Sequence, residues 1–362
     1  MKILYLINYA GKAGTEKYVE NLIGHCSGKP DTECFLCYNV AGELSEKCVA
    51  RGVRCFRLEM RSPFDLKAAR ALAAICRDNE IDVIHAQFPR ENYIALLSKR
   101  YYDRPKVIFT AHLIMRQPAV WKIFNRIMTK KNDCVLAVCN AGAEVLRENG
   151  VCPDVIRIVY NGIRASEAAI LSEEEKAELR SSLGIPDGST VISIMARFSP
   201  EKGLDFLADS VSLMKTADHS VVIMGDGDGM DDFRKRISDL GIADRFILTG
   251  YRNDCSRILA VSDIYVSSSK EEAMSYATLE AMAAGLPLVV TDVGGNPTLA
   301  EEGGKCGEVV RYGDAAGYAE ALDKLCRDPG LRDRYGAVSA EKTKTLFDHD
   351  KLMDRIYEIY GQ

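Results

Sequence analysis

No stretch of this 362-residue chain comes near the roughly 20 consecutive apolar residues that a membrane-spanning helix needs. The opening MKILYLINYA is apolar over too short a run for a secretory signal, so the expectation is a soluble, cytoplasmic protein. Metal-site patterns are missing too. The 12 cysteines are scattered, mostly through apolar segments such as DCVLAVC, and no two close pairs stand at zinc spacing. Cys34 and Cys37 do form a C-x-x-C, but inside an apolar stretch with no partner pair, which reads as buried thiols in a reducing compartment. No aspartate pair calls for a divalent cation, and no cofactor is expected. No G-x-G-x-x-G opens a helix after a strand, which argues against a nicotinamide enzyme. A nucleic-acid partner is not expected either.

What is present is an alternation of apolar strands with amphipathic helices. The chain is too long for one ordinary core, so two domains are expected. KILYLIN reads as a strand, and AGKAGTEKYVENLIGHC as a glycine-containing turn into a helix capped by Thr15, with Gly14 where a backbone can approach a phosphate. CFLCYNV, VIHA, KVIFTAH, CVLAVC and IRIVY follow as strands with helices between them, the pattern of a parallel, doubly wound α/β sheet. His112 comes directly after KVIFT, at the carboxyl end of a strand, where open α/β sheets place ligands. His85 also ends a short strand, but Gln87 beside it offers no charge partner. The pattern breaks after Asn161–Gly162. The expected domains are therefore 1–163 and 164–345, with 346–362 a C-terminal helix that could pack back on the first domain.

The second half opens with TVISIMA, a buried strand, then RFSPEKGLDFLADSV. Ser199 and Pro200 are good residues to start a helix, which would leave Arg197 just before its amino end and Lys202 in its first turn. A cation is unfavourable there, and a bound diphosphate would resolve the conflict. SVVIMG runs into GDGDG, which permits a tight strand-to-helix turn and by itself says no more. After FILTG stand Tyr251 and Arg252, candidates for contacts to a nucleotide base. The stretch from Ser267 to Gly304, SSSKEEAMSYATLEAMAAGLPLVVTDVGGNPTLAEEGG, places Glu272 in a turn and Glu280 in a helix, with seven residues between them. A helix starting near Tyr276 would put Glu280 one turn in, close to the amides of Met274, Ser275 and Tyr276, which suit an anion. Two carboxylates around anion-seeking amides fit a ligand that is anionic in the middle and rich in hydroxyls at both ends, as a sugar nucleotide is. Two glutamates at such spacing are more often plain solvated side chains, so the rest of the sequence has to carry the point.

Taken together these pieces resemble the family 4 retaining glycosyltransferases of the GT-B fold, over nearly the whole chain. The signatures occur in order: AGTE where the family has GGxE, His112 after a strand, YNGI, ARFSPEKG, GDGD, EEAMSYATLEAMAAGLPLVVTDVGG and GEVVRYGD. The resemblance implies two Rossmann-like domains facing a central cleft and a nucleotide-sugar donor, a UDP-sugar first. Glu272 would hold donor sugar hydroxyls, Glu280 the ribose, and Arg197 with Lys202 the diphosphate, while Gly14 and His112 would approach from the first domain. It also implies a metal-independent transfer with retention, to a glycan or lipid-linked acceptor of cell-surface polysaccharide or glycolipid synthesis. The chain departs from the pattern at Ala13 (first glycine of the pair), Ala273 (usually glycine), Arg164 (often aspartate) and Thr298 (often acidic). A sugar-nucleotide 2-epimerase of the same fold and a binding protein without turnover remain alternatives, and intact Glu272, Lys202 and His112 argue against the second.

Charge is unevenly spread. Residues 1–163 carry 24 Lys and Arg against 17 Asp and Glu, and the remainder 23 against 35. Residues 116–131, RQPAVWKIFNRIMTKK, combine the only tryptophan with apolar and basic residues at helical spacing. Such a helix can pack one face on a sheet, or it can give the protein peripheral contact with a membrane, with Trp121 expected to be exposed.

Overall fold

The computed structural model describes residues 1–362. The strands are β1 (Lys2–Tyr9), β2 (Glu33–Val40), β3 (Arg54–Arg57), β4 (Val83–Ala86), β5 (Lys106–Ala111), β6 (Cys134–Ala137), β7 (Ile156–Ile158), β8 (Thr190–Met195), β9 (His219–Met224), β10 (Phe246–Gly250), β11 (Ile264–Ser267), β12 (Leu288–Thr291) and β13 (Gly307–Val310). They make two sheets, ordered β3-β2-β1-β4-β5-β6-β7 and β10-β9-β8-β11-β12-β13. Every strand pair is parallel. Parallel strands need helical crossovers that cover both faces, which is why a run such as Ile3–Ile7 is apolar without alternation and fully buried.

Two compact units result, Met1–Asn161 with Asp350–Gln362, and Gly162–His349. In each sheet the strand order reverses once, between β1 and β4 in the first unit and between β8 and β11 in the second. At such a reversal neighbouring connections leave towards opposite faces, opening a crevice at the carboxyl ends of the strands.

From Asp350 on, the last helix, His349–Gly361, belongs to the first unit. Met353, Ile356 and Tyr360 are buried, Thr32 Oγ1 meets the Tyr357 hydroxyl at 2.7 Å, and Asp354 accepts from His25 Nε2 at 2.9 Å. Helix Glu43–Ala50 and β3 are among the elements that escaped the sequence reading, as are helices Glu173–Ser182 and Asn296–Glu301 and strand β13. β3 is a four-residue edge strand, RCFR, whose two arginines hide any apolar signal. Thr15 is not the cap of the first helix. Gly14–Ser27 is preceded by Ala13 as cap with no side-chain hydrogen bond, and the carboxylate of buried Glu16 lies against the amides of Glu16, Gly11 and Ala13. Ala13 has φ −155°, extended backbone that alanine adopts as readily as glycine. Cys34 and Cys37 are buried, and loss of solvation pushes the Cys34 thiol up to about 11, well away from reactive thiolate chemistry.

Candidate active site

In the second unit β8 leads into Arg197 and then into a single 3₁₀ turn, Pro200–Lys202. This corrects the expected helix start. The α-helix begins only at Leu204, because Gly203 turns the chain with φ +61°, and a Cβ there would lie 2.2 Å from the Ser268 carbonyl oxygen. Lys202 therefore projects from a turn of its own, and its charge is answered within the chain. Its Nζ donates to Glu272 Oε2 at 2.7 Å, with side-chain exposures of 26% and 14%. Within the chain the Glu272 carboxylate relieves the cation.

That contact spans the reversal between β8 and β11, and further bonds hold it there. Ser268 Oγ donates to the Lys202 carbonyl at 2.9 Å, and the Lys270 amide to the Glu201 carbonyl at 2.9 Å. Behind them Thr291 Oγ1 donates to the Ser269 carbonyl at 2.7 Å, and Asn296 Nδ2 to Thr291 Oγ1 at 3.1 Å. Arg197 is 70% exposed and meets Glu201 at 3.1 Å, while Ser199 Oγ also donates to Glu201 at 2.7 Å and holds that carboxyl below its ordinary range. The GDGDG motif now has a reason beyond a tight turn. Gly225 and Gly227 both have φ +151°, and a Cβ on them would come within 2.0 Å of the Ala196 carbonyl and 2.9 Å of the Phe198 amide. Only glycine lets this loop lie against the one that carries Arg197.

Ser275 caps helix Tyr276–Ala283 by accepting from the Thr278 amide at 3.2 Å, so that amide is taken by the cap, and Met274 beside it is buried. Glu280 lies in this helix and lines a cavity of about 300 Å³ with Glu167, Asn253, Cys255 and Ser256. The two glutamates act on one neighbour: burial pushes the Tyr265 hydroxyl up, and the charges of Glu280 and Glu272 add to the effect. Tyr251 is exposed, and Arg252 is held by Asp254 through two hydrogen bonds of 2.8 and 2.7 Å. A base contact by Arg252 would have to share that carboxylate.

In the first unit His112 follows β5, and its Nε2 lies 2.9 Å from Gln87 Oε1. Gln87, after β4, is fully buried, and its amide nitrogen donates to the His85 carbonyl at 3.1 Å. Its oxygen can only accept, so Nε2 of His112 carries the proton and Nδ1 is left as the acceptor. The Tyr18 ring meets the imidazole edge-on at 4.8 Å, and loss of solvation pushes His112 down to about 3, so it is neutral at physiological pH. Gln87 is the residue the sequence reading missed. It was passed over for lacking charge, and only burial makes a neutral amide decisive. His85 is structural: its nitrogens meet Tyr360 at 2.6 Å and Thr110 at 2.7 Å. Gly14, the first residue of its helix, is exposed. An apolar cavity of about 160 Å³ adjoins His112, lined by Phe109, Leu113, Met115, Leu146 and Val151 among others.

Residues 13–167 match the model of Glycosyltransferase Family 4, and residues 175–342 that of Glycosyl transferases group 1. The chain is 24% identical over 306 residues to N-acetyl-alpha-D-glucosaminyl L-malate synthase of Bacillus anthracis, covering 82% of this chain and 79% of that protein. It is 25% identical over 310 residues to UDP-Gal:alpha-D-GlcNAc-diphosphoundecaprenol alpha-1,3-galactosyltransferase of Escherichia coli, again 82% and 79% of the two chains. Among solved structures, Anabaena HepE in complex with UDP superposes with a TM-score of 0.87 at 18% identity over 99% of both chains, a likeness of fold.

Proposed function

The chain belongs to the group 1, family 4 glycosyltransferases of the GT-B fold, and from that premise we propose that it moves a sugar from a UDP-sugar to a hydroxyl of a glycan or lipid-linked acceptor, with retention of configuration and without a metal ion. The observation that carries the reading is the 2.7 Å contact of Lys202 with Glu272 across the β8/β11 reversal, a cation and a hydroxyl acceptor held side by side where such sheets bind ligands. The UDP assignment draws support from the UDP complex of HepE and from the UDP-galactose named for the Escherichia coli relative. The diphosphoundecaprenol in the name of the Escherichia coli relative supports a lipid-linked acceptor of polysaccharide or glycolipid synthesis as the first class to try.

The hard step is cleavage between the anomeric carbon and the diphosphate, which develops negative charge on the leaving oxygen. Lys202 and Arg197 are assigned to that charge, Glu272 to sugar hydroxyls and Glu280 to the ribose. In the first unit Gly14 and His112 are assigned to donor contacts, and a neutral imidazole with a bare Nδ1 suits a hydroxyl rather than a phosphate oxygen. The acceptor hydroxyl attacks from the face the diphosphate leaves, and its proton passes to the departing phosphate oxygen. The test is thermal stabilisation by a panel of UDP-, GDP- and ADP-sugars, followed by product analysis with the donor that stabilises most. Stabilisation by a UDP-sugar and a glycosylated acceptor with retained anomeric configuration are expected. A rearranged free sugar would move the reading to a 2-epimerase, and no response to any donor would sink it.

A further inference from the structure

His85 is assigned to no ligand, yet it holds both neighbours that fix His112. It is fully buried near the end of β4, and loss of solvation keeps its imidazole neutral, so one ring nitrogen carries a proton and the other accepts one. Nδ1 lies 2.6 Å from the Tyr360 hydroxyl and Nε2 lies 2.7 Å from Thr110 Oγ1, which leaves neither nitrogen over. Thr110 Oγ1 in turn lies 3.1 Å from the Tyr18 hydroxyl. All four side chains are at most 1% exposed, so a group that loses its partner here pays the full cost of desolvation.

Counting hydrogens gives this chain of groups a direction. Tyr360, His85, Thr110 and Tyr18 supply one hydrogen each, and three contacts join them. If Tyr360 donates to Nδ1, then Nε2 donates to Thr110 Oγ1 and the threonine hydrogen is free for Tyr18. If Nδ1 donates to Tyr360, then Thr110 must donate to Nε2 and Tyr18 to Thr110. The contact at Tyr360 and the proton position on His85 are thus a single choice.

Two branches lead from His85 to His112. Along the first, Gln87 Nε2 donates to the His85 carbonyl at 3.1 Å, which leaves Gln87 Oε1 facing His112 Nε2 at 2.9 Å. Along the second, the His85 imidazole holds the Tyr18 hydroxyl through Thr110, and the Tyr18 ring meets the His112 imidazole edge-on at 4.8 Å. Tyr360 reaches this cluster from the last helix, and Lys106 Nζ at the start of β5 donates to its carbonyl at 3.1 Å. We propose that His85 and Tyr360 are positioning residues for His112: the Tyr360 hydroxyl fixes the His85 imidazole, and His85 fixes the amide and the ring that hold His112 with Nδ1 open. The last helix is thereby part of the first unit's site. What His112 does for a hydroxyl rests on the proposed function, whereas its position does not.

The test uses the full-length protein with ¹⁵N-labelled histidine, in which the two ring nitrogens of His112 report its tautomer and are assigned by their absence in His112→Gln. Tyr360→Phe removes one hydroxyl and keeps the ring. It should turn the single Nε2-protonated signature of His112 into a mixture of tautomers and lower kcat by about fivefold, the order of one lost hydrogen bond, with the affinity for UDP unchanged. Thr110→Val should act in the same way, and Thr110→Ser, which keeps the hydroxyl, should restore both readouts. A tyrosine that only packs would lower the melting temperature and leave the His112 nitrogens as they are. Unmoved His112 nitrogens in folded Tyr360→Phe and Thr110→Val therefore overturn the proposal. Should Tyr360→Phe not fold, the Thr110 pair decides alone. Absence of any sugar transfer by the unmodified protein would remove the proposed function, and the nitrogen signals would still decide this point.

Discussion

At the β8/β11 reversal a lysine meets a glutamate at 2.7 Å, whereas beyond β4 and β5 an imidazole meets an amide at 2.9 Å. Both pairs stand at the carboxyl ends of parallel strands, and both join residues from connections after different strands. They solve opposite problems. The Lys202–Glu272 pair keeps two charges usable by leaving both side chains in partial contact with solvent and fixing their turns through bonds to backbone carbonyls from the Ser268 hydroxyl and the Lys270 amide. The His112–Gln87 pair holds an imidazole that loss of solvation keeps neutral, and the buried amide oxygen of Gln87 fixes which nitrogen carries the proton. Under the proposed function the first pair would stabilise developing charge and the second would recognise a hydroxyl without acquiring charge.

The comparison can be broken most severely at Lys202. If that cation answers charge developing on the leaving group, Lys202→Ala should lower kcat by about a hundred- to a thousandfold at saturating donor, with the fold intact by thermal melting. A rate within a few-fold of the unmodified protein would remove the charged site from the chemistry.

A division within the charged site is the next effect in size. Glu280→Ala should weaken the affinity for free UDP by roughly ten- to a hundredfold, as expected for lost charge-assisted hydrogen bonds, and Glu272→Ala should mainly lower kcat. Titration calorimetry with UDP checks this, and equal losses of UDP affinity in the two variants would contradict the assignment.

The neutral site should respond more gently. Gln87→Met removes the acceptor without adding charge and should cost about tenfold in kcat/KM. Gln87→Glu places a carboxylate beside the imidazole and should raise its pKa, so that activity falls with decreasing pH from a higher starting point than in the unmodified protein. Unaltered pH profiles in the Glu variant would show that Gln87 does not govern the state of His112.

A separate effect, outside the kinetics, is on stability. His112 and His85 are both pushed down to about 3, chiefly by loss of solvation, while an unfolded chain takes up their protons near 6.5. Between those values the unfolded state binds more protons, so their contribution is present above about 6.5 and is lost as pH falls towards 3. Denaturant unfolding at a series of pH values should show this decline, and His112→Gln should flatten it. An unchanged slope would place the titration elsewhere.

Much of the architecture is written locally. Continuous apolar runs such as KILYLIN and TVISIMA, separated by amphipathic segments, determine parallel strands with covered faces, and the order of the motifs determines the family. Glu272, Glu280, Arg197 and Lys202 were legible because they stand in ARFSPEKG and EEAMSYATLEAMAAGLPLVVTDVGG, motifs that resemble those of the family and occur in its order. Their partners were not. The sequence places Lys202 in the first turn of a helix, and only the approach of Gly203 to the Ser268 carbonyl shows that the helix starts later and the lysine faces Glu272. Gln87 carries no charge and no motif, and its importance shows only in the folded unit, where its buried amide oxygen meets Nε2 of His112. Helix Ala119–Met128 has a composition that permits either apolar direction to be the buried one. The aromatic stack with Phe64 and Tyr93 decides it, turning Trp121 inward and leaving Val120, Ile123 and Ile127 outside. Periodicity along the chain is a short-range property and so survives in the sequence, whereas a pairing between residues 70 positions apart, as in Lys202 and Glu272, is set by packing.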